Sequence, residues 1–85
     1  MIKYDRIELS IFIIDRPGSL NKLLKIIDQS YINITSIHID RISTGVNYGE
    51  CLITLKLKIL DYINLEIINT MLNYKKYRYK LNKYE

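Results

Sequence analysis

The chain has 85 residues, of which 48% are hydrophobic and 26% are charged, with a formal net charge of +4. This length predicts a single domain over residues 1–85, and this composition excludes a disordered chain. Cys51 is the single cysteine, which excludes an intrachain disulfide, and one cysteine with one histidine excludes the usual zinc sites. We therefore expect a folded domain without a metal, whose small core gains stability from a partner subunit.

The first ten residues carry four charges and are typical of neither a signal peptide nor a transit peptide. No apolar run in the sequence reaches the length that a membrane-spanning helix needs. We therefore expect a cytoplasmic protein without a membrane partner.

The first predicted strand, residues 6–14, leads directly into a Pro-Gly turn and then into a helix. Alternate residues of the strand are apolar and predict an inward face: Ile7, Leu9, Ile11 and Ile13. Residues 19–30 have the apolar spacing of one helical face: Leu20, Leu23, Leu24 and Ile27. Ser19 is the predicted N-cap of this helix, and Pro17 ends the strand.

Two further strands follow. Residues 33–43 are rich in β-branched side chains, and residues 44–49 form a loop with turn-forming residues at both ends. Residues 50–59 alternate most clearly, with an inward-facing set of Cys51, Ile53, Leu55, Leu57 and Ile59.

A second helix is predicted over residues 61–73, with Asp61 as a possible N-cap. Its core stripe consists of Leu65, Ile68 and Leu72, with Met71 beside them. Residues 75–81 fit a short last strand, because Tyr77 and Tyr79 alternate with basic residues. A frayed basic tail would give a similar pattern, so both interpretations stay open for this segment.

The order βαββαβ indicates an α+β fold. Two helices cover one face of a four-stranded antiparallel sheet, and right-handed connections favour the ferredoxin-like sandwich with strand order 4-1-3-2. Strand 33–43 then lies at an edge and contains no proline that would block pairing. We expect a homodimer through strand 33–43 and the adjacent helix.

The Pro-Gly turn is the predicted ligand-binding element. A strand that ends at Pro17-Gly18 and passes into a helix brings free backbone N–H groups and the positive end of the helix dipole to one point. This arrangement favours a carboxylate or another anion.

Four sequence motifs together resemble the ACT domain, a small regulatory module that binds amino acids. They are Asp15-Arg-Pro-Gly-Ser-Leu, Asn33-Ile-Thr-Ser-Ile, Asp40-Arg41 and Gly49-Glu50. The chain is most similar to the C-terminal ACT domain of pyridoxal-phosphate-dependent threonine dehydratases, from about Ile7 to Leu81. The resemblance implies that an effector binds between paired domains, near the first strand-to-helix turn.

The resemblance also implies which residues bind the effector: Asp15, Pro17, Gly18, Ser19, Leu20, Asn33 and Ile34. Serine-binding relatives carry an asparagine at the position of Asp15 and a histidine at the position of Ile13, so this chain departs from them. A carboxylate at position 15 suits an α-amino group. By likeness to threonine dehydratase regulation, isoleucine or valine is the favoured effector.

No catalytic residues and no cofactor are expected. The sequence has no Gly-rich phosphate loop and no lysine in a cofactor-like context. We expect a protein that is not an enzyme by itself, either a regulatory piece of a longer enzyme or a free-standing domain that acts on an associated one.

Three alternatives remain. The first is a dimerisation module of the same fold without a ligand. The second is a small phosphatase, for which Arg16 beside the Pro-Gly turn is the sole hint. The third is nucleic acid binding, which is not expected because the outward positions of the third strand have no aromatic residue. His38 has too few neighbouring ligands for a metal site, and Cys51 is interpreted as a small core residue.

Overall fold

The computed structural model describes residues 5–42 and 45–83. Its elements follow the order β1 (Asp5–Ile14), α1 (Ser19–Gln29), β2 (Asn33–Asp40), β3 (Glu50–Ile59), α2 (Tyr62–Tyr74) and β4 (Arg78–Lys83). The predicted α+β class, with a four-stranded antiparallel sheet and two helices, is therefore confirmed.

The sheet is open, and its strands lie in the order β2-β3-β1-β4. The same sheet counted from the β4 edge reads 4-1-3-2, because a strand order has no preferred end. Each neighbouring pair is antiparallel. Strands β1 and β2 both pair with β3, so they run in the same direction and their carboxyl ends lie at the same end of the sheet. Strands β2 and β4 form the edges.

The core lies between one face of the sheet and the two helices. The inward set of β1 is buried as predicted, and so is the inward set of β3. These side chains form one cluster with buried residues of the helices: Leu23, Ile26, Ile27, Ile68 and Leu72. The opposite side of β3 is exposed or half-buried, so the helices cover one face and leave the other open.

Helix α1 corrects two predictions. Its N-cap is Gly18, which has φ 90° and provides no side-chain cap, so the prediction of Ser19 as N-cap was wrong. The buried face of α1 is also rotated about the helix axis from the predicted face. Ile26 is fully packed, whereas Leu20 and Leu24 are only half-buried. Ser30, just after the helix, is buried on the same side, and its hydroxyl donates to the carbonyl of Ile26 at 2.9 Å.

Helix α2 begins as predicted. The carboxylate of Asp61 accepts a hydrogen bond from the backbone N–H of Ile63 at 3.0 Å, so Asp61 is the N-cap. The last strand begins three residues later than predicted, because Lys76 turns the chain with a positive φ of 62°. Tyr77, Tyr79 and Leu81 then pack against the core, so this segment is ordered and is not a frayed tail.

Strand β2 is shorter than predicted and ends at Asp40. The predicted end at Ser43 and the predicted loop start at Thr44 lie outside the described residues. The pairing with β3 is irregular between Ile34 and Ser36. Farther along, Ile37 and Ile39 lie on the helix side of the sheet but are 46% and 39% exposed. The helices therefore leave the β2 edge partly uncovered.

Candidate functional site

The segment of residues 15–18, here called the Pro-Gly turn, is fixed by backbone hydrogen bonds. The N–H of Asp15 donates to the carbonyl of Gly49 at 2.9 Å, which ties the end of β1 to the residue before β3. The N–H of Ser19 donates to the carbonyl of Arg16 at 3.3 Å and closes the turn. A left-handed φ at Gly18 completes the reversal, and glycine adopts this conformation without a Cβ clash.

The start of α1 offers hydrogen-bond donors. Among the described residues, the backbone N–H groups of Leu20 and Asn21 have no backbone acceptor, as expected for the first turn of a helix. Gly18 provides no side chain to satisfy them. These donors and the positive end of the helix dipole favour an anionic group at this point.

A cavity of about 350 Å³, here called the turn pocket, adjoins the turn on the helix side of the sheet. Its floor is apolar and consists of Ile13, Leu20, Ile39, Cys51 and Ile53. The ends of β1 and β2 and the starts of β3 and α1 thus converge on one space. This volume is at the lower end of the range for small-molecule sites.

Two opposite charges lie at the rim of the turn pocket. The guanidinium of Arg41 donates from Nε to Asp15 Oδ2 at 2.6 Å and from Nη2 to Asp15 Oδ1 at 3.2 Å. The hydrogen bond and the charge of Asp15 raise the pKa of Arg41, so the guanidinium stays charged. The side chains are 60% and 32% exposed, so water reaches the pair and screens it.

Arg41 is a site residue that the sequence reasoning did not assign. The predicted strand order already indicated that Arg41 lies near Asp15. Asp15 follows β1 and Arg41 follows β2, and these two strands run in the same direction in the predicted sheet. A long arginine side chain spans the width of the intervening strand and meets the carboxylate.

The predicted site residues divide into two groups. Asp15, Pro17 and Leu20 line the turn pocket, with Gly18 and Ser19 beside them in the chain. Asn33 and Ile34 lie at the other end of β2, where Asn33 borders a different cavity with Tyr31 and Ile32. Asp40 lies seven residue steps along the strand from Asn33, a distance of roughly 23 Å. One chain therefore does not bring all seven residues together.

Cys51 lies in the core, and His38 lies on the surface. Cys51 is buried, and burial is the main cause that raises the pKa of its thiol, which disfavours the reactive thiolate. His38 is exposed on the open face of β2. In the part of the chain that the structure describes, no group of three or more His, Cys, Asp or Glu residues is placed to bind a metal.

The chain matches no protein-family model and no curated protein sequence. No helix within residues 5–42 and 45–83 is both long and apolar enough to cross a membrane.

Proposed function

We propose that the chain is an amino-acid-binding regulatory domain of the ACT type, built on a ferredoxin-like sandwich. The observation that carries the proposal is the turn pocket, where an apolar floor lies next to a carboxylate, a guanidinium and open backbone donors. Such a site suits a small ligand that has an apolar side chain and both charges of an α-amino acid.

Isoleucine or valine is the proposed effector. Its side chain packs on the apolar floor, and its ammonium binds Asp15. Its carboxylate binds the backbone N–H groups at the start of α1, around Gly18 to Leu20. The resemblance to threonine dehydratase domains and the aliphatic floor of Ile13, Ile39 and Ile53 support this choice over a polar amino acid.

The site is proposed to be complete only in a homodimer through the β2 edge and the adjacent α1. If two copies of β2 pair antiparallel about the middle of the strand, Asn33 of each copy lies opposite Asp40 of the other. Asn33 and Ile34 then approach the partner subunit's turn pocket. The exposed Ile37 and Ile39 support this arrangement, because a neighbouring subunit would cover apolar surface that the helices leave open.

The proposed role is allosteric control of a threonine dehydratase or a related enzyme of amino acid metabolism in the cytoplasm, attached to this domain or associated with it. Binding across the interface biases one arrangement of the dimer if the effector prefers that arrangement. The domain contributes no catalytic residue and needs no cofactor under this proposal.

The alternative is a dimerisation module of the same fold without a ligand. The observation that favours it is the exposed apolar side of β2, which needs a partner whether or not an amino acid is bound. Under this alternative, the Asp15–Arg41 pair only joins the ends of β1 and β2.

A thermal-shift panel of the twenty amino acids separates the two functions. A ligand at about 100 times its Kd stabilises the folded state by about 2.7 kcal/mol. Each kcal/mol raises the Tm of a domain of this size by roughly 4–8 °C. We expect shifts with isoleucine, valine or both, and none with glutamate or lysine. A flat panel on a folded dimer would favour the dimerisation module.

Two carboxylate variants locate the response. Asp15→Ala removes the proposed ammonium acceptor at the turn pocket, whereas Glu66→Ala removes an exposed carboxylate from α2, outside that pocket and away from Asn33. We expect the first variant to lose the shift and the second to keep it. An equal rise of the Tm with amino acid in both variants would show that Asp15 does not bind the ligand.

A further inference from the structure

The residues that the structure describes use only part of the hydrogen-bond donors of Arg41. A guanidinium has five N–H donors, and the two hydrogen bonds to Asp15 occupy one donor on Nε and one on Nη2. With respect to the described residues, three N–H donors therefore remain for a second anion while Arg41 still holds Asp15. The carboxylate of Asp15 likewise has acceptor capacity beyond the two bonds that it receives from Arg41.

The pair is electrically neutral and lies beside an apolar floor. A ligand with one charge would leave the opposite charge of the rim without a counterpart, whereas a zwitterion gives each rim charge a partner. Water reaches both side chains and reduces the cost of an unmatched charge, but only a zwitterion supplies a charged partner to each of them.

On these grounds we propose that Arg41 determines specificity by binding the carboxylate of the ligand while Asp15 binds its ammonium. The pair thereby selects zwitterionic amino acids over amines and over carboxylic acids that have the same side chain. A carboxylate has two oxygens, so Arg41 acts together with the backbone N–H groups at the start of α1 and does not replace them. This inference rests on the proposed function and assigns the recognition of the ligand's charged groups within it.

The chain contains a matched control. Arg78 donates from Nη2 to Glu50 Oε1 at 3.0 Å, and these side chains are 54% and 29% exposed, close to the values of the Arg41–Asp15 pair. Arg78 stacks over the ring of Phe12 at 3.9 Å, on the open face of the sheet. Its removal deletes a similar arginine–carboxylate pair outside the turn pocket.

The test uses isothermal titration calorimetry with three ligands that share the valine side chain. Valine carries both charges, isobutylamine lacks the carboxylate, and 3-methylbutanoate lacks the ammonium. Parent protein, Arg41→Met and Arg78→Met are titrated with each. Both substitutions remove a mostly exposed side chain, and circular dichroism and sedimentation verify that the variants remain folded and in the same oligomeric state.

We expect the parent to bind valine at least about tenfold more tightly than either single-charge ligand, as for a hydrogen bond between charged groups. In Arg41→Met, valine should lose about tenfold in affinity, whereas isobutylamine should bind as it does to the parent. The ratio of valine to isobutylamine affinity therefore falls, a change that a general weakening of the fold would not produce. Arg78→Met should match the parent, and Arg41→Lys should be intermediate because lysine lacks the planar fork.

The outcomes separate this inference from the proposed function. If Arg41→Met keeps the parent's ratio of valine to isobutylamine affinity, the assignment of Arg41 is wrong and the amino acid site stands. If the parent binds no amino acid, the proposed function and this inference both fail. An Arg78→Met variant that loses valine as strongly as Arg41→Met would also overturn the assignment, because the loss would not depend on the turn pocket.

Discussion

Replacement of Gly18 by alanine tests the turn on which the whole site depends. Gly18 has φ +90°, and a Cβ added there meets no atom within 4 Å, so the substitution creates strain in the backbone and no steric clash. Left-handed backbone costs a residue with a Cβ about 1–2 kcal/mol relative to glycine. For a domain of this size, that cost lowers the Tm by roughly 4–16 °C.

Urea denaturation and thermal unfolding of Gly18→Ala measure this cost. Gly18→Asn is the graded variant and should lose less, because asparagine tolerates left-handed backbone better than alanine. Gly49→Ala is the matched control, since Gly49 has φ +82° and equally open surroundings. It should lose a similar amount of stability. A Gly18→Ala protein as stable as the parent would refute the left-handed turn, and with it the placement of Asp15 and Leu20 at one pocket.

Two further predictions concern the free energy of unfolding and its dependence on pH. Asp61→Ala removes the N-cap of α2 and should cost about 1 kcal/mol in urea denaturation; no loss would contradict the capping bond to Ile63. Burial raises the pKa of Cys51 in the folded state above that of the unfolded thiol. The buried neutral thiol therefore stabilises the fold fully below the unfolded pKa, and this stabilisation is lost as the pH rises through the folded pKa. Between about pH 7 and about pH 10, the parent should therefore lose more stability than Cys51→Ala, and equal losses would contradict the burial argument.

Strand β3 shows what the sequence predicts well. Apolar and polar residues alternate from Glu50 to Ile59 with one exception, the outward Leu52, and the structure gives the same bounds and the same buried set. Local alternation is sufficient here because β3 lies between two strands, and one face of it is fully covered by the helices. The edge strands are harder to delimit, since their ends depend on how far the neighbouring strand extends.

The start of α1 shows where local rules fail. Serine is a common N-cap, so Ser19 was the reasonable prediction, but the turn closes through the Ser19 N–H and places Gly18 at the cap. The same turn is held by the hydrogen bond from the N–H of Asp15 to the carbonyl of Gly49, which joins segments far apart in the sequence. Propensity rules that consider one segment at a time do not contain that contact.

The pairing of Asp15 with Arg41 also lies beyond local patterns. The two residues are 26 positions apart, and only the sheet topology brings them to the same end. The sequence motifs marked both residues, yet they did not indicate that the two side chains contact each other. By contrast, the turn itself followed directly from Pro17-Gly18 between a strand and a helix.

A titration of ¹⁵N-labelled protein with valine and isoleucine, followed by two-dimensional ¹H–¹⁵N NMR, tests the proposed amino acid site residue by residue. We expect saturable shifts of the backbone amides at residues 15–21, apart from Pro17, which has no N–H, and at residues 39–41. In a dimer, we expect shifts at Asn33 and Ile34 as well. A separate cavity of about 350 Å³ lies between β1, α2 and β4, so the amides near Leu65 and Leu81 serve as the internal control and should not shift. Shifts confined to that cavity, or no shifts at millimolar amino acid, would rule out an amino acid site at the turn pocket.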